Sequence, residues 1–134
     1  MLEFKIKNHN EQEEEIGYNS RYPICLALSE NYELVATLLS DDPKIGFSYY
    51  QSYGKKYIEI LENWLIIVDN HINHQQPFEI EDTLTLSIKD NRVKLWMSFE
   101  PDFINEIDIS AFKEIIQNWK NYVLDWLERN DNLA

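Results

Sequence analysis

The chain has 134 residues, of which 24 are Asp or Glu and 12 are Lys or Arg, for a formal net charge of −12. With 44% hydrophobic and 13% aromatic residues it has a globular composition, and its length suits one core rather than two. Three glycines, four prolines and a single cysteine, Cys25, exclude collagen-like, linker-like and disulfide-stapled scaffolds and point to a reducing compartment, the cytoplasm.

Leu2, Phe4 and Ile6 alternate with Glu3, Lys5 and Lys7, the period of a half-buried strand. Residues 8–15 are polar and acidic and read as a solvated loop, and Tyr22 to Leu28 reads as a short buried strand. Residues 30–40 fit either a short helix, capped by Ser29 and burying Leu34, Val35, Leu38 and Leu39, or a strand. Asp41, Asp42 and Pro43 break that element. Phe47, Tyr49, Tyr50 and Tyr53 then crowd a segment between Gly46 and Gly54, where rings seek burial and hydroxyls seek water. From 55 to 73, Ile58, Leu61, Trp64, Leu65, Val68 and Ile72 recur at helical spacing, and Ile60, Ile66 and Ile67 widen the stripe toward cover on more than one side.

Leu84, Leu86 and Ile88 alternate with polar residues, and after Asp90-Asn91 so do Val93, Leu95, Met97 and Phe99. This predicts a hairpin whose two-residue loop takes positive φ, which Asp and Asn tolerate. Its inward pairs are then Ile88 with Val93, Leu86 with Leu95 and Leu84 with Met97. The outward pairs are Lys89 with Arg92, Ser87 with Lys94 and Thr85 with Trp96. Ile107 and Ile109 mark a third strand beside the hairpin, with Glu106 and Asp108 on the face of Lys94 and Arg92. Ser110 would cap a last helix over 111–129, burying Phe112, Ile115, Ile116, Trp119, Tyr122, Val123, Trp126 and Leu127, with residues 130–134 frayed. The expected fold is one α+β domain over 1–134: an antiparallel sheet with a central hairpin and two long amphipathic helices on one face.

The N-terminus lacks the apolar stretch of a signal peptide, and the longest apolar run, Trp64 to Val68, falls far short of the roughly 18 residues that span a bilayer. Export and membrane insertion are therefore not expected. Nucleic acid is an unfavourable direct partner, because its binding rests on Lys and Arg displacing counterions. His71 and His74 stand at i, i+3, a spacing two metal ligands can use, but no HExxH pattern accompanies them, and ring donors near a helix end also suit its last carbonyls. Cys25 sits in the apolar run ICLAL with no activating neighbour. No G-x-S-x-G, P-loop, dinucleotide fingerprint or calcium loop occurs, so the sequence calls for no catalytic residue, cofactor or metal and for a protein that is not an enzyme.

Two features look like an interface. Trp96 falls in the hairpin's polar register, so it must be covered by another part of the chain or serve as an anchor for a partner. Glu100, Asp102, Glu106 and Asp108 follow with no base among them, and residues 79–108 hold eight acids against Lys89, Arg92 and Lys94. With Tyr49, Tyr50 and Tyr53 as further anchors, these residues form the candidate binding site for a basic protein partner, whose approach the net charge would steer.

A small, acidic, cysteine-poor α+β chain carrying KLWMSFEPDF (94–103) and a last helix FKEIIQNWKNYVLDW (112–126) resembles the immunity proteins of bacterial polymorphic toxin systems, including contact-dependent growth inhibition. The likeness is one of composition and layout over most of the chain, and it transfers no site residue. It implies an inhibitor that neutralises a basic toxin domain, often a nuclease, by stoichiometric binding. The alternative is an acidic interaction domain unrelated to toxins, such as an adaptor, a subunit or a nucleic-acid mimic.

Overall fold

The computed structural model describes residues 1–8 and 21–129. Over that range the chain is α+β, with a two-stranded and a four-stranded sheet, both antiparallel, and three α-helices. The acidic loop expected at 8–15 and the frayed end at 130–134 lie outside the described residues, except that Asn8 closes the first strand.

Among the described residues, strands β1 (Leu2–Asn8) and β2 (Arg21–Ala27) pair only with each other, Phe4 opposite Cys25. The expected single sheet is thus two. Phe4 instead joins β1 to the core through its ring, 5.2 Å from Trp119 and 5.6 Å from Tyr122. Residues 33–40 are helix α1 (Glu33–Ser40), because the helical period puts Leu34, Val35, Leu38 and Leu39 on one buried face. Ser29 does not cap it: a 3-10 turn over Glu30–Tyr32 intervenes, and the Ser29 side chain makes no capping bond. The Leu34 N–H, one of the orphan donors of the first turn, donates to Asn105 Oδ1 at 2.7 Å.

Helix α2 (Lys56–His74) buries Tyr57, Ile58, Leu61, Trp64, Leu65, Val68 and His71, while Ile66 is exposed, so the helix keeps an open side that its isoleucines did not suggest. Gln75 takes the left-handed conformation at φ 55° and its N–H closes on the His71 carbonyl at 2.8 Å. A short strand that the sequence pattern did not reveal, β3 (Phe78–Ile80), follows, its Phe78 ring edge-on to Trp64 at 5.5 Å.

Strands β4 (Leu84–Lys89), β5 (Arg92–Met97) and β6 (Glu100–Asp108) complete the sheet in the order β3-β4-β5-β6. The hairpin register is the expected one at all six pairs, and Asp90 and Asn91 have φ of 51° and 64°. β6 starts earlier than Ile107 implies. Ile109 is not on it but opens helix α3 (Ile109–Arg129), and the Ser110 N–H donates to Asp108 Oδ2 at 2.9 Å, so Asp108 rather than Ser110 occupies the capping role. α3 fully buries Phe112, Ile116, Trp119 and Val123, with Ile115, Tyr122, Trp126 and Leu127 packed half-buried around them. Lys113 reaches Asp69 of α2 at 2.8 Å.

Two polar devices sit within the core. Trp119 Nε1–H donates to the Tyr57 hydroxyl at 2.8 Å, and that hydroxyl donates to the Ile45 carbonyl. Lys44, also buried, pairs with Asp42 at 3.0 Å and donates to the Leu84 carbonyl. Gly46 permits this loop, since a Cβ there would lie 2.4 Å from the Asp42 nitrogen.

Candidate functional site

The inner side of the four-stranded sheet carries Leu84, Leu86, Ile88, Val93, Leu95 and Ile107, all buried. By strand alternation the opposite face carries Thr85, Ser87, Lys89, Arg92, Lys94, Trp96, Ile104, Glu106 and Asp108. Trp96 lies there between Thr85 of β4 and Ile104 of β6, half-buried: neither covered by the rest of the chain nor left bare.

Beyond Trp96 the β5–β6 register shifts, so that Met97 faces Glu100. Ser98 and Phe99 form the turn that joins β5 to β6, which ends β5 at Met97 and removes Phe99 from the inward register its alternation implied. Phe99 is 72% exposed instead, and Ile104, next to Trp96, is 49% exposed. Phe99 escaped the sequence reading because a turn can cut an alternating run short without leaving a mark in hydropathy, and Ile104 because the extra residues of β6 hide which of its side chains share the face of Trp96. Glu100 and Asp102 flank them, both exposed and, among the described residues, neither with an ion-pair partner.

Glu106 and Asp108 are used differently. Glu106 sits 3.4 Å from Lys94 and 3.5 Å from Arg92, and Asp108 accepts the Ser110 N–H. Glu106 borders a shallow hollow of about 280 Å³ lined also by Ser87, Lys89, Asp90, Arg92 and Lys94, three bases against two acids. The uncompensated charge of the candidate site is thus concentrated at Glu100 and Asp102.

The tyrosines belong to another surface. Phe47–Tyr53 is a kinked 3-10 segment packed against α1, α2 and β2 rather than on β5 and β6. Tyr50 is its anchor: the hydroxyl donates to the Pro43 carbonyl, and its ring lies 5.2 Å from Tyr49, 5.1 Å from Tyr53 and 6.1 Å from Tyr57. Burial, then the neighbours Tyr53, Tyr49 and Asp42, raise its pKa and keep it a donor. Tyr49 and Tyr53 are the exposed members.

The groups with a chemical alternative are occupied. His71 is buried, with Nδ1 2.9 Å from the Gln76 carbonyl and Nε2 2.9 Å from the Asn91 nitrogen, so neither ring nitrogen is free to bind metal. No group of three or more His, Cys, Asp or Glu able to hold a metal ion occurs among the described residues. Cys25 borders a hollow of about 360 Å³ between β2 and α1, but burial pushes its thiol up to about 12, which leaves it protonated at neutral pH. No helix among the described residues is long and apolar enough to cross a membrane. Comparison with protein-family models, with curated proteins and with solved structures finds no match to this chain.

Proposed function

We propose that the chain is an immunity-type inhibitor that neutralises a basic toxin domain by stoichiometric binding, with the β5–β6 end of its sheet as the contact surface. The observation that carries this reading is the pair Trp96 and Ile104 on the outer face, with the exposed Phe99 in the β5–β6 turn and the acids Glu100 and Asp102 following it, neither acid ion-paired among the described residues. Aromatic anchors with a charged rim are the composition of an interface hot spot, and the net charge of −12 gives a cationic partner a long-range attraction. A nuclease that holds phosphates presents such a cationic surface. In this reading both long helices share the inner face of the four-stranded sheet, which the burial of Leu86, Val93 and Ile107 supports, and the outer face is left to the partner.

The test is growth protection in a bacterium. The reading frame directly upstream of the one encoding this chain, expressed alone, should arrest growth, and co-expression of the chain should restore it. A Phe99→Asp, Glu100→Lys variant that stays soluble should fail to protect. Arrest that persists while the chain is abundant and soluble overturns the proposal.

A further inference from the structure

Of the four strand edges in the two sheets, those of β2, β3 and β6 differ in what they offer. β3, one edge of the four-stranded sheet, is only three residues long. On β2, the Leu28 N–H bonds to the Met1 carbonyl, so the even residues point toward β1 and the odd ones toward the free edge. That edge is closed. The Ser40 hydroxyl accepts the Cys25 N–H at 2.8 Å and donates to the Cys25 carbonyl at 3.0 Å, and Pro23 has no N–H to offer.

β6, the other edge of the four-stranded sheet, is open. The Ser98 N–H bonds to the Thr83 carbonyl and the Ile109 N–H to the Asn91 carbonyl, which fixes the hydrogen-bond phase of both ladders. Asn105 and Ile107 then bond toward β5, and the N–H and C=O of Ile104 and Glu106 point outward. Among the described residues these outward groups have no hydrogen-bond partner. The strand is held in place from its inner side, since Asn105 is buried and its side chain bonds both the Leu34 N–H and, at 3.2 Å, the Glu30 carbonyl.

We infer that the β6 edge at Ile104 and Glu106 receives an extended, basic segment of a partner protein as an added antiparallel strand. This deepens, and rests on, the proposed role as a binder of a basic partner. Main-chain bonds would supply affinity, and alternate side chains of the added strand would meet Ile104 and Glu106 on the outer face and the exposed Asp102, whose neighbour Phe103 packs toward the core. Lysine opposite Asp102, which has no ion-pair partner among the described residues, and an aliphatic residue opposite Ile104 is the complementary pattern, while a cation opposite Glu106 shares that carboxylate with Arg92 and Lys94. A second copy of this chain is the wrong occupant, because it would bring together two molecules each of charge −12. The net charge that repels self-association favours a cationic strand.

The probe is the peptide Thr-Lys-Thr-Val-Thr-Lys-Thr, whose lysines and valine share one face and, in this pairing, turn their amides toward β6. N-methylation of the valine and lysine amides should weaken its binding at least tenfold. N-methylation of the central threonine amides, which face away, should leave binding within twofold. Binding should slow amide exchange at Ile104 and Glu106 at least tenfold, and Ile104→Pro, which removes an N–H that makes no ladder bond, should abolish it. Absence of peptide binding, equal binding of the two methylated peptides, or unchanged exchange at both amides overturns the inference. So does a dimer in sedimentation that protects those amides without peptide. Growth protection retained in Ile104→Pro overturns strand addition alone, whereas protection absent from the unaltered chain overturns the functional reading.

Discussion

The backbone N–H of Asn91, in the hairpin loop, donates to Nε2 of His71 in the last turn of α2 at 2.9 Å. That bond makes Nε2 the acceptor and leaves Nδ1–H to donate to the Gln76 carbonyl. The Gln75 amide adds a bond to the Asn91 side chain at 3.0 Å, and the Asn91 carbonyl accepts the Ile109 N–H, so one turn residue ties together α2, the hairpin and the start of α3. Replacing His71 by Leu strands a backbone donor and an acceptor and should cost about 2–4 kcal/mol in urea unfolding. His74→Ala, at an exposed position, should stay within about 0.5 kcal/mol. Equal effects of the two substitutions would remove His71 from this role.

The core should also come apart in alkali. Burial raises the Cys25 thiol from an ordinary 9.0 to about 12. It also lifts the Tyr57 hydroxyl well above its ordinary 10.0, with the Trp119 hydrogen bond opposing and Tyr50 adding. The unfolded chain releases these protons at the ordinary values while the folded chain retains them, so their stabilising effect is complete below about pH 9 and declines above it. Each group should add a slope of up to about 1.4 kcal/mol per pH unit, Cys25 from pH 9 and Tyr57 from pH 10. Urea midpoints of Cys25→Ala measured from pH 8 to 11.5 should fall less steeply than those of the unaltered chain.

The Tyr57 hydroxyl has a second consequence at neutral pH. Tyr57→Phe leaves Trp119 Nε1–H and the Ile45 carbonyl without their partner at the centre of the molecule, which should cost about 2–4 kcal/mol. Trp119→Phe with Tyr57→Phe should cost less than the two separate losses added together, because both remove the same bond.

What the sequence made legible is what alternation and helical period encode. The hairpin register was readable because Asp90-Asn91 fixes the loop and six residues alternate on either side of it. Polar groups that act across the chain were not. Asn105 capping α1 spans 71 residues, and Lys44 pairing with Asp42 while reaching Leu84 looks in sequence like part of a charged turn. Of the candidate site, Trp96 and the acids were readable by type, but which acids stay unpaired among the described residues depends on where Arg92 and Lys94 fall, and Phe99 depends on where the turn into β6 begins. The tyrosines were legible as a cluster and not as a separate surface.

The Lys44–Asp42 pair should prove costly to break. The two side chains are 2% and 6% exposed, so removing the cation leaves a buried carboxylate without its countercharge. Lys44→Met should therefore destabilise the fold by about 3–5 kcal/mol, and adding Asp42→Asn should recover part of that loss. A Lys44→Met protein with an unshifted melting temperature would place the pair in solvent.

Charge reversals on β6 should separate binding from stability. Glu106→Lys would set a third cation beside Arg92 and Lys94, 3.5 and 3.4 Å from the present carboxylate, and so disturbs the sheet before any partner arrives. Glu100→Lys and Asp102→Lys break no ion pair among the described residues. The melting temperature should accordingly fall with Glu106→Lys and hold with the Glu100→Lys, Asp102→Lys double variant. Against the proposed cationic partner, the double variant should slow association about tenfold at low salt and flatten its salt dependence, because rim charges act on the encounter. Trp96→Ala should instead raise the dissociation rate, as the loss of a desolvated anchor does. If association is unchanged when Glu100 and Asp102 are reversed, the partner docks elsewhere, and Tyr49 and Tyr53 become the anchors to test.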